Sequence, residues 1–466
     1  MVREGFQPDF PPGVTAEAGS FCAATVPSSG AKDLRGLLWS SIDNTDSRDL
    51  DQVEWAEKKA DGSLRVLVGI ADVDMVVKSG SATDTHARAN ATSVYPGGPV
   101  FPMLPERLST DLTSLGPNVD RCAIVMEFIV AADGSVGGGS AYAGLLRNQA
   151  RLNYDEVAGW LQEPSRMPAF PAGLREQLLL QHEAANRLKA YRHEHGALTL
   201  GGDESVPVIA QNLVTGFETV QDSPSREIIE NLMIAANVEM AQFLRARNCA
   251  CLRRVVRTPK HWDRIQAMAS RLGTRLPDAP DSKALAGFLV ARKQADPEHF
   301  PELSLSVLKC LGPGEYVVEH PGEEHEGHFG LAVEDYTHST APNRRYADLI
   351  MQRLLKASQN GGATPYAEAD LAALAAHCTE RESAARHVER FMKKVAAALM
   401  LGPRVGECFD ALVTGVTPGS TYARLLGAPA EGRVNRGAHG LAVGDKIRVR
   451  LAGVNPAKGF IDLDRQ

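Results

Sequence analysis

The chain has 466 residues, more than one ordinary domain holds, so two to four folding units are expected. It is 44% hydrophobic and 23% charged, a globular composition, and a net charge of −7 argues against a protein that simply coats nucleic acid while permitting an enzyme with one basic channel. The apolar run Val395–Leu401 falls far short of the roughly 20 residues of a membrane span, and Met1–Gly5 lacks the basic and apolar regions of a signal peptide.

Residues 1–33 read as a turn-rich lead-in, with Pro11-Pro12-Gly13 and Pro27-Ser28-Ser29-Gly30 and no clear periodicity. From Gly36 the pattern turns to strands. Gln52–Lys59 and Ser63–Val77 flank Asp61-Gly62, a hairpin signal. Ser81-Ala82-Thr83-Asp84 caps a short helix through Ala91. The prolines of Phe101-Pro102-Met103-Leu104-Pro105 exclude a regular helix there. Cys122–Val130 is a strand, Asp133-Gly134-Ser135 a turn, and Gly138–Asn148 a returning strand. The middle of the chain reads as helical. Leu174, Leu178, Ala185 and Leu188 recur at helical spacing up to a stop at Gly196, and Ser223-Pro224 opens a helix through about Arg247. Further helical patterns cover 259–272, 282–296, 302–310, 343–357, 366–378 and 379–401. A strand-rich half followed by a helix-rich half predicts an α+β fold.

Gly402-Pro403 marks a domain break. Beyond it five short strands (Cys408–Thr417, Thr421–Leu426, Glu431–Val434, Lys446–Leu451 and Gly459–Asp464) predict a small barrel, most simply an OB-fold. That architecture often binds single-stranded nucleic acid. Phe409, Tyr422 and Phe460 are its candidate stacking aromatics, and each also fits the barrel core. The seven scattered cysteines read as reduced thiols of a cytoplasmic protein.

Two stretches carry chemistry. Asp43, Asp46, Asp49 and Asp51 crowd one loop between Leu37-Leu38-Trp39 and Val53-Glu54-Trp55. Close carboxylates repel unless cations neutralise them, and magnesium prefers a few carboxylates together with substrate phosphates. Irregular backbone lets such groups converge on two ions, which stabilise the attacking and leaving oxygens of phosphoryl displacement. Alone, the cluster also fits a solvated acidic turn, and Asp49-Leu50-Asp51 alone also fits a manganese-dependent nucleotide-sugar transferase. The second stretch is Thr340-Ala341-Pro342-Asn343-Arg344-Arg345-Tyr346, where two arginines stand near a predicted helix start. Arginine grips phosphate through a planar fork. Paired surface salt bridges are the alternative for both.

Taken in order, several motifs resemble the ribonuclease II / ribonuclease R (RNB) family. They are Asp43 through Asp51, Ile70-Ala71-Asp72-Val73, Thr92-Ser93-Val94-Tyr95, Pro102-Met103-Leu104-Pro105 with Leu108-Ser109, His328-Phe329-Gly330-Leu331, and Tyr336-Thr337-His338 through Tyr346. The resemblance runs from about Asp33 to Ala357, and the terminal barrel stands where that family has its RNA-binding OB-fold. The implied organisation is a lead-in over 1–33 without cold-shock domains, an RNB catalytic domain over 34–402 and an OB-fold over 403–466.

What the resemblance implies is a processive 3′→5′ exoribonuclease that hydrolyses single-stranded RNA to nucleoside 5′-monophosphates with magnesium or manganese. No membrane and no obligate protein partner is expected. By position, Asp43, Asp49 and Asp51 match metal-binding acids, with Asp46 in the same loop, and Asp51 and Arg344 take the catalytic places. Tyr95 matches an aromatic clamp, Tyr154 and Glu230 match contacts to the terminal nucleotide, and Arg345 is a further RNA contact. Three departures stand out. Gln52 replaces the second of two adjacent aspartates, adding an oxygen ligand without charge. Asn343 and Ala341 stand where the family usually has an aliphatic residue and a serine. The lead-in is too short for the cold-shock domains that guide RNA. Gln52 keeps open a silent RNA-binding protein of the same fold.

Overall fold

Strand-forming runs in the first third of the chain pair into one sheet, and its longest strand joins the two ends. The computed structural model describes residues 1–466 except 23–29, 169–170, 202–203, 212, 221, 324–325 and 362–363. Helix α1 (Pro12–Ser20) precedes β1 (Lys32–Asp33), β2 (Trp39–Asp43), β3 (Gln52–Lys58), β4 (Leu64–Ala71), α2 (Ala82–Asn90), β5 (Asp120–Val130) and β6 (Val136–Asn153). The order across the sheet is β1-β6-β2-β3-β4-β5, with β6 also bonded to β5. The first part of β6 runs antiparallel to β5 and its last residues run parallel to β2. That parallel end sets Asp43 opposite Asn153, just before Tyr154. Strand β4 is buried at all but one residue, as a central strand should be. A Cβ on its Gly69 would lie 2.4 Å from Leu146 Cδ1 and 3.1 Å from Val53 Cγ2, so a larger residue there would have to push those core side chains aside.

The described part of the lead-in is more ordered than its prolines suggest. The turn expected at Pro27-Ser28-Ser29 lies outside the described residues. Helix α1 docks on α2, where Glu17 Oε2 accepts from Thr83 N at 2.6 Å and from Thr83 Oγ1 at 2.7 Å. The strand expected to reach Val77 stops at Ala71, because the Asp72 carboxylate accepts from Met75 N and caps a 3₁₀ turn over Val73–Met75.

The chain continues through α3 (Tyr154–Gln162), α4 (Leu174–Glu194), β7 (Glu204–Ala210), β8 (Leu213–Val220), α5 (Pro224–Arg245), β9 (Cys251–Val255), α6 (Trp262–Arg271), α7 (Ser282–Ala295), α8 (Phe300–Leu311), β10 (Glu315–Glu319), α9 (Tyr346–Gln359) and α10 (Glu368–Leu401). Ser223 caps α5 as expected, its hydroxyl accepting from Arg226 N. The buried face of α5, with Ile228, Leu232, Ala236 and Met240, packs on β5 and β6. Helices α6 to α8 form a separate small core around Ile265, Leu285, Leu289 and Val307.

Three expectations for this half need correction. The β7–β8 hairpin and the β9–β10 pair interrupt a stretch read as helical; β9 and β10 pair across sixty residues, which local periodicity cannot reveal. Helix α9 begins at Tyr346 rather than Asn343, since the preceding amides are bonded elsewhere. The two helices expected over 366–401 are one, α10, with no glycine or proline inside it; the Thr379 hydroxyl donates back to Ala375 O at 3.0 Å.

The final strands, β11 (Cys408–Thr417), β12 (Ser420–Leu425), β13 (Glu431–Arg436), β14 (Lys446–Asn455) and β15 (Phe460–Arg465), close a five-stranded barrel in the order β11-β12-β13-β15-β14. The architecture is therefore α+β followed by an OB-type barrel. Phe409 is in the barrel core, whereas Tyr422 and Phe460 are exposed. The barrel's core also takes Ala397, Ala398 and Leu401 from the end of α10, so the break at Gly402-Pro403 interrupts the helix without separating two cores. No described helix is long and apolar enough to cross a membrane.

Candidate active site

The acidic loop is shaped by one apolar residue. Leu50 is buried, its N–H donates to Ser114 Oγ and its carbonyl accepts from Leu115 N. With Leu50 turned into the core, Asp49 and Asp51 on either side of it face a cleft. That cleft, of about 310 Å³, is lined by Asp43, Asp49, Asp51, Gln52, Tyr95, Tyr154, Arg226 and Arg344 among others. Asp43 ends β2, and its Oδ1 accepts from Asn44 N at 2.7 Å and Ser47 Oγ at 2.9 Å. Arg151 pins the loop beyond by donating to the carbonyls of Thr45 and Ser47.

Asp51 is the most constrained acid. It is 2% exposed, its Oδ1 accepts from Asn343 N at 2.9 Å, and its Oδ2 lies 3.5 Å from Arg344 Nε with no hydrogen-bond partner. Burial pushes its carboxyl up to about 7, although Arg344 and the Asn343 amide pull the other way. Burial also raises Asp49, and Asp43 adds repulsion there. Asp49 and Asp51, which resist charging in a cleft that Asp43 also lines, invite a cation even with Arg226 and Arg344 in the same wall.

Arg344 is held by the backbone around it. Asp348 is fully buried; its Oδ1 accepts from Ala341 N at 2.7 Å, and both its oxygens take the fork of Arg345. The Arg344 carbonyl accepts from Ser93 N at 3.0 Å, and Tyr346 N donates to Ala91 O. The turn and the segment carrying Tyr95 are thus bonded to each other. Tyr95 N donates to Glu389 Oε1, and the residue as a whole is 42% exposed at the cleft. Tyr154 starts α3 beside Asp43, with the Arg226 guanidinium 4.3 Å from its ring centroid.

The structure thus gathers Asp43, Asp49, Asp51, Gln52, Tyr95, Tyr154 and Arg344 around one cleft, and leaves three expected residues off it. Asp46 is exposed and does not line the cleft. Glu230 is exposed on α5, one step round from the cleft-lining Ile229, with Arg192 4.0 Å away. Arg345 spends its guanidinium on Asp348 and lines a neighbouring pocket, so its role in the fold is to fasten the turn. Among the described residues, no three acidic, histidine or cysteine side chains stand close enough to enclose an ion alone. The donor set still fits a hard divalent cation: carboxylate oxygens, a glutamine carbonyl and a buried, unpartnered Asp51 Oδ2 line one wall. Magnesium is commonly held by one or two carboxylates, with waters and substrate phosphate completing the shell.

Two residues escaped the sequence reading. Arg226, whose Nη2 donates to Asn44 Oδ1 at 3.1 Å, bridges α5 to the acidic loop. Its signal was its place in the first turn of α5, one turn before Glu230. Glu54, on β3 two residues beyond Gln52, is fully buried with neither carboxyl oxygen partnered, and burial raises its pKa, with Asp43 adding to the shift. Nothing in an alternating strand sequence flags it.

Residues 31–360 match the family model described as the RNB domain, and residues 407–466 match the RNase II-type exonuclease C-terminal S1 domain. Ribonuclease R of Escherichia coli (strain K12) is 31% identical over 412 residues, covering 85% of this chain and 50% of that protein. The chain thus spans about half the length of this relative. Several solved structures share the fold, among them the following two. Mycoplasma genitalium RNase R in complex with ribose methylated single-stranded RNA matches with a TM-score of 0.91 at 23% identity, over 100% of this chain and 77% of that one. Yeast Ssd1, a pseudonuclease, matches with a TM-score of 0.70 at 18% identity, over 90% of this chain and 52% of that one.

Proposed function

The chain belongs to the RNB-domain family, and from that premise we propose that it is a metal-dependent 3′→5′ exoribonuclease. It hydrolyses single-stranded RNA processively to nucleoside 5′-monophosphates. The observation that carries this reading is Asp51: a buried carboxylate positioned by the Asn343 amide, with its second oxygen unpartnered beside Arg344. Burial holds that carboxyl up at about 7, so keeping it charged for the Asn343 amide alone costs the fold stability, and a bound cation would offset that cost.

Asp43, Asp49 and Asp51, with the Gln52 carbonyl, would hold magnesium or manganese. Bound there as a pair of ions, the metal supplies Lewis acidity for attack and departure in an in-line displacement. Arg344, fixed through its backbone, offsets charge developing on the scissile phosphate; removing such a donor typically costs about 10²–10³ in rate. Tyr95 stacks on a base near the 3′ end without sequence preference. Tyr154, backed by Arg226, walls the terminal nucleotide, where contact to the 2′-OH favours RNA over DNA. The exposed Tyr422 and Phe460 give the barrel a surface for the incoming strand.

A second reading rests on Gln52, which lines the cleft and leaves it one charge poorer. It is a protein of the same fold that binds RNA without cutting it, and likeness of fold to a pseudonuclease is compatible with it. One experiment separates the two. Single-stranded RNA labelled at its 5′ end is incubated with magnesium, with manganese, or with chelator. Metal-dependent shortening from the 3′ end is expected; tight binding with no shortening in either metal favours the silent binder.

A further inference from the structure

The residues ahead of α1 are built into the domain. Phe6 is 3% exposed and shares a small core with Val94, Ala385 and Val388, apart from the core of the main sheet. Two sets of contacts hold it there. Arg381 of α10 donates from Nη1 to Glu4 O at 2.7 Å, and its guanidinium lies 5.2 Å from the Phe6 ring centroid. Gln7 N donates to Asn90 Oδ1 and Asn90 Nδ2 donates to Gln7 O, each at 2.9 Å. Asn90 is the last residue of α2, so this pair fixes the point from which the chain runs on to Tyr95.

From there the run is strand-like. Thr92 bridges to Arg345, and Val94 exchanges both backbone hydrogen bonds with Phe101 at 3.0 Å. Successive side chains of extended backbone point to opposite sides. With Val94 fully buried in the core that Phe6 completes, Tyr95 is turned the other way, to the cleft it lines with Asp49 and Arg344. Glu389, next to Val388 on α10, accepts the Tyr95 N–H at 3.0 Å. The backbone of Tyr95 is thus held by α10, and its direction by the core around Phe6. A side chain whose direction is set before a ligand arrives loses less entropy on binding it. Truncating Phe6 opens a void beside Val94 and removes that constraint.

We propose that Phe6 is a positioning residue for RNA binding, acting on Tyr95 through the core it shares with Val94. The proposal rests on the reading of Tyr95 as a stacking clamp. The test is a double-mutant cycle in an Asp51→Asn background, with Kd for a 5′-labelled oligouridylate read by fluorescence anisotropy. It compares Phe6→Ala, Phe6→Leu, Tyr95→Ala and Phe6→Ala with Tyr95→Ala, each checked for folding by circular dichroism. Phe6→Ala should weaken binding about fivefold or more, and no further than Tyr95→Ala does. Phe6→Leu, which still fills most of that core, should lose less. Added to Tyr95→Ala, Phe6→Ala should cost nothing more, because the ring it positions is gone. Arg381→Met, which frees Glu4 O and leaves the apolar core whole, should show the same dependence on Tyr95 at smaller size, and serves if Phe6→Ala does not fold. An equal loss with and without Tyr95 would make Phe6 a general stabiliser and overturn the proposal. Loss in Tyr95→Ala with none in Phe6→Ala sinks the proposal alone. Unchanged binding in Tyr95→Ala sinks the stacking reading and the proposal with it.

Discussion

Asp51→Asn is expected to stabilise the protein while abolishing its activity. In the fold the Asp51 carboxyl titrates at about 7 against an ordinary 3.8, about three units, or roughly 4 kcal/mol at 1.36 kcal/mol per unit. The sign follows from proton linkage. Because the folded state binds this proton more tightly than the unfolded chain, keeping the carboxylate charged costs stability. That cost is absent below about pH 4, grows as pH rises, and is complete above about pH 7. Asparagine keeps an acceptor for Asn343 N, but puts an amide N–H₂ where Oδ2 now lies 3.5 Å from Arg344 Nε. An unpartnered buried donor there costs about 1–3 kcal/mol. The net gain at pH 8 is therefore about 1–3 kcal/mol, vanishing or reversing near pH 4. Thermal or urea unfolding in chelator at both pH values measures it. A variant less stable than wild type at pH 8, or a difference independent of pH, refutes the reasoning. Magnesium should then stabilise wild type more than the variant, since it neutralises the charge that asparagine lacks.

Three further outcomes follow from the geometry. Tyr95→Ala, in an Asp51→Asn background, should weaken single-stranded RNA binding by about 5–150-fold, the equivalent of roughly 1–3 kcal/mol of stacking, read by fluorescence anisotropy. Asp348→Ala removes the acceptor for Ala341 N and the partner of Arg345. Breaking such a buried pair should cost about 3–5 kcal/mol in urea unfolding, with less than additive loss in the double variant with Arg345→Ala. Gln52→Asp adds a carboxylate to the cleft wall and should tighten metal binding, measured by calorimetry with manganese; an unchanged affinity would place residue 52 outside the metal's reach.

The barrel was legible strand by strand because its alternation and Gly-rich turns are local. The acidic loop was legible for the same reason: an apolar Leu50 between two aspartates already tells which way each side chain turns. Arg344 could be picked out next to Pro342, but its orientation could not. That depends on Asn343 N reaching Asp51 and on Ser93 N reaching the Arg344 carbonyl, contacts that cross hundreds of residues. Spacing alone does not separate Arg344 from Arg345; the resemblance set Arg344 in the catalytic place, and the buried Asp348 shows that Arg345 is fastened in the turn. Glu54 and Arg226 carried no motif of their own, and β9 with β10 carried no local signal because their pairing is made in three dimensions. Sequence pattern reports which elements form and which acids cluster. The orientation of the working groups is decided by tertiary hydrogen bonds.

Hydrolysis of RNA in the cleft, as proposed, needs Asp51 as an essential acid. Mass spectrometry of the products from a single-stranded RNA in magnesium tests it most directly, comparing wild type with Asp51→Asn. Nucleoside 5′-monophosphates are expected from wild type and intact RNA from the variant. RNA bound but left whole by both proteins, or products ending in 3′-phosphates, would contradict it.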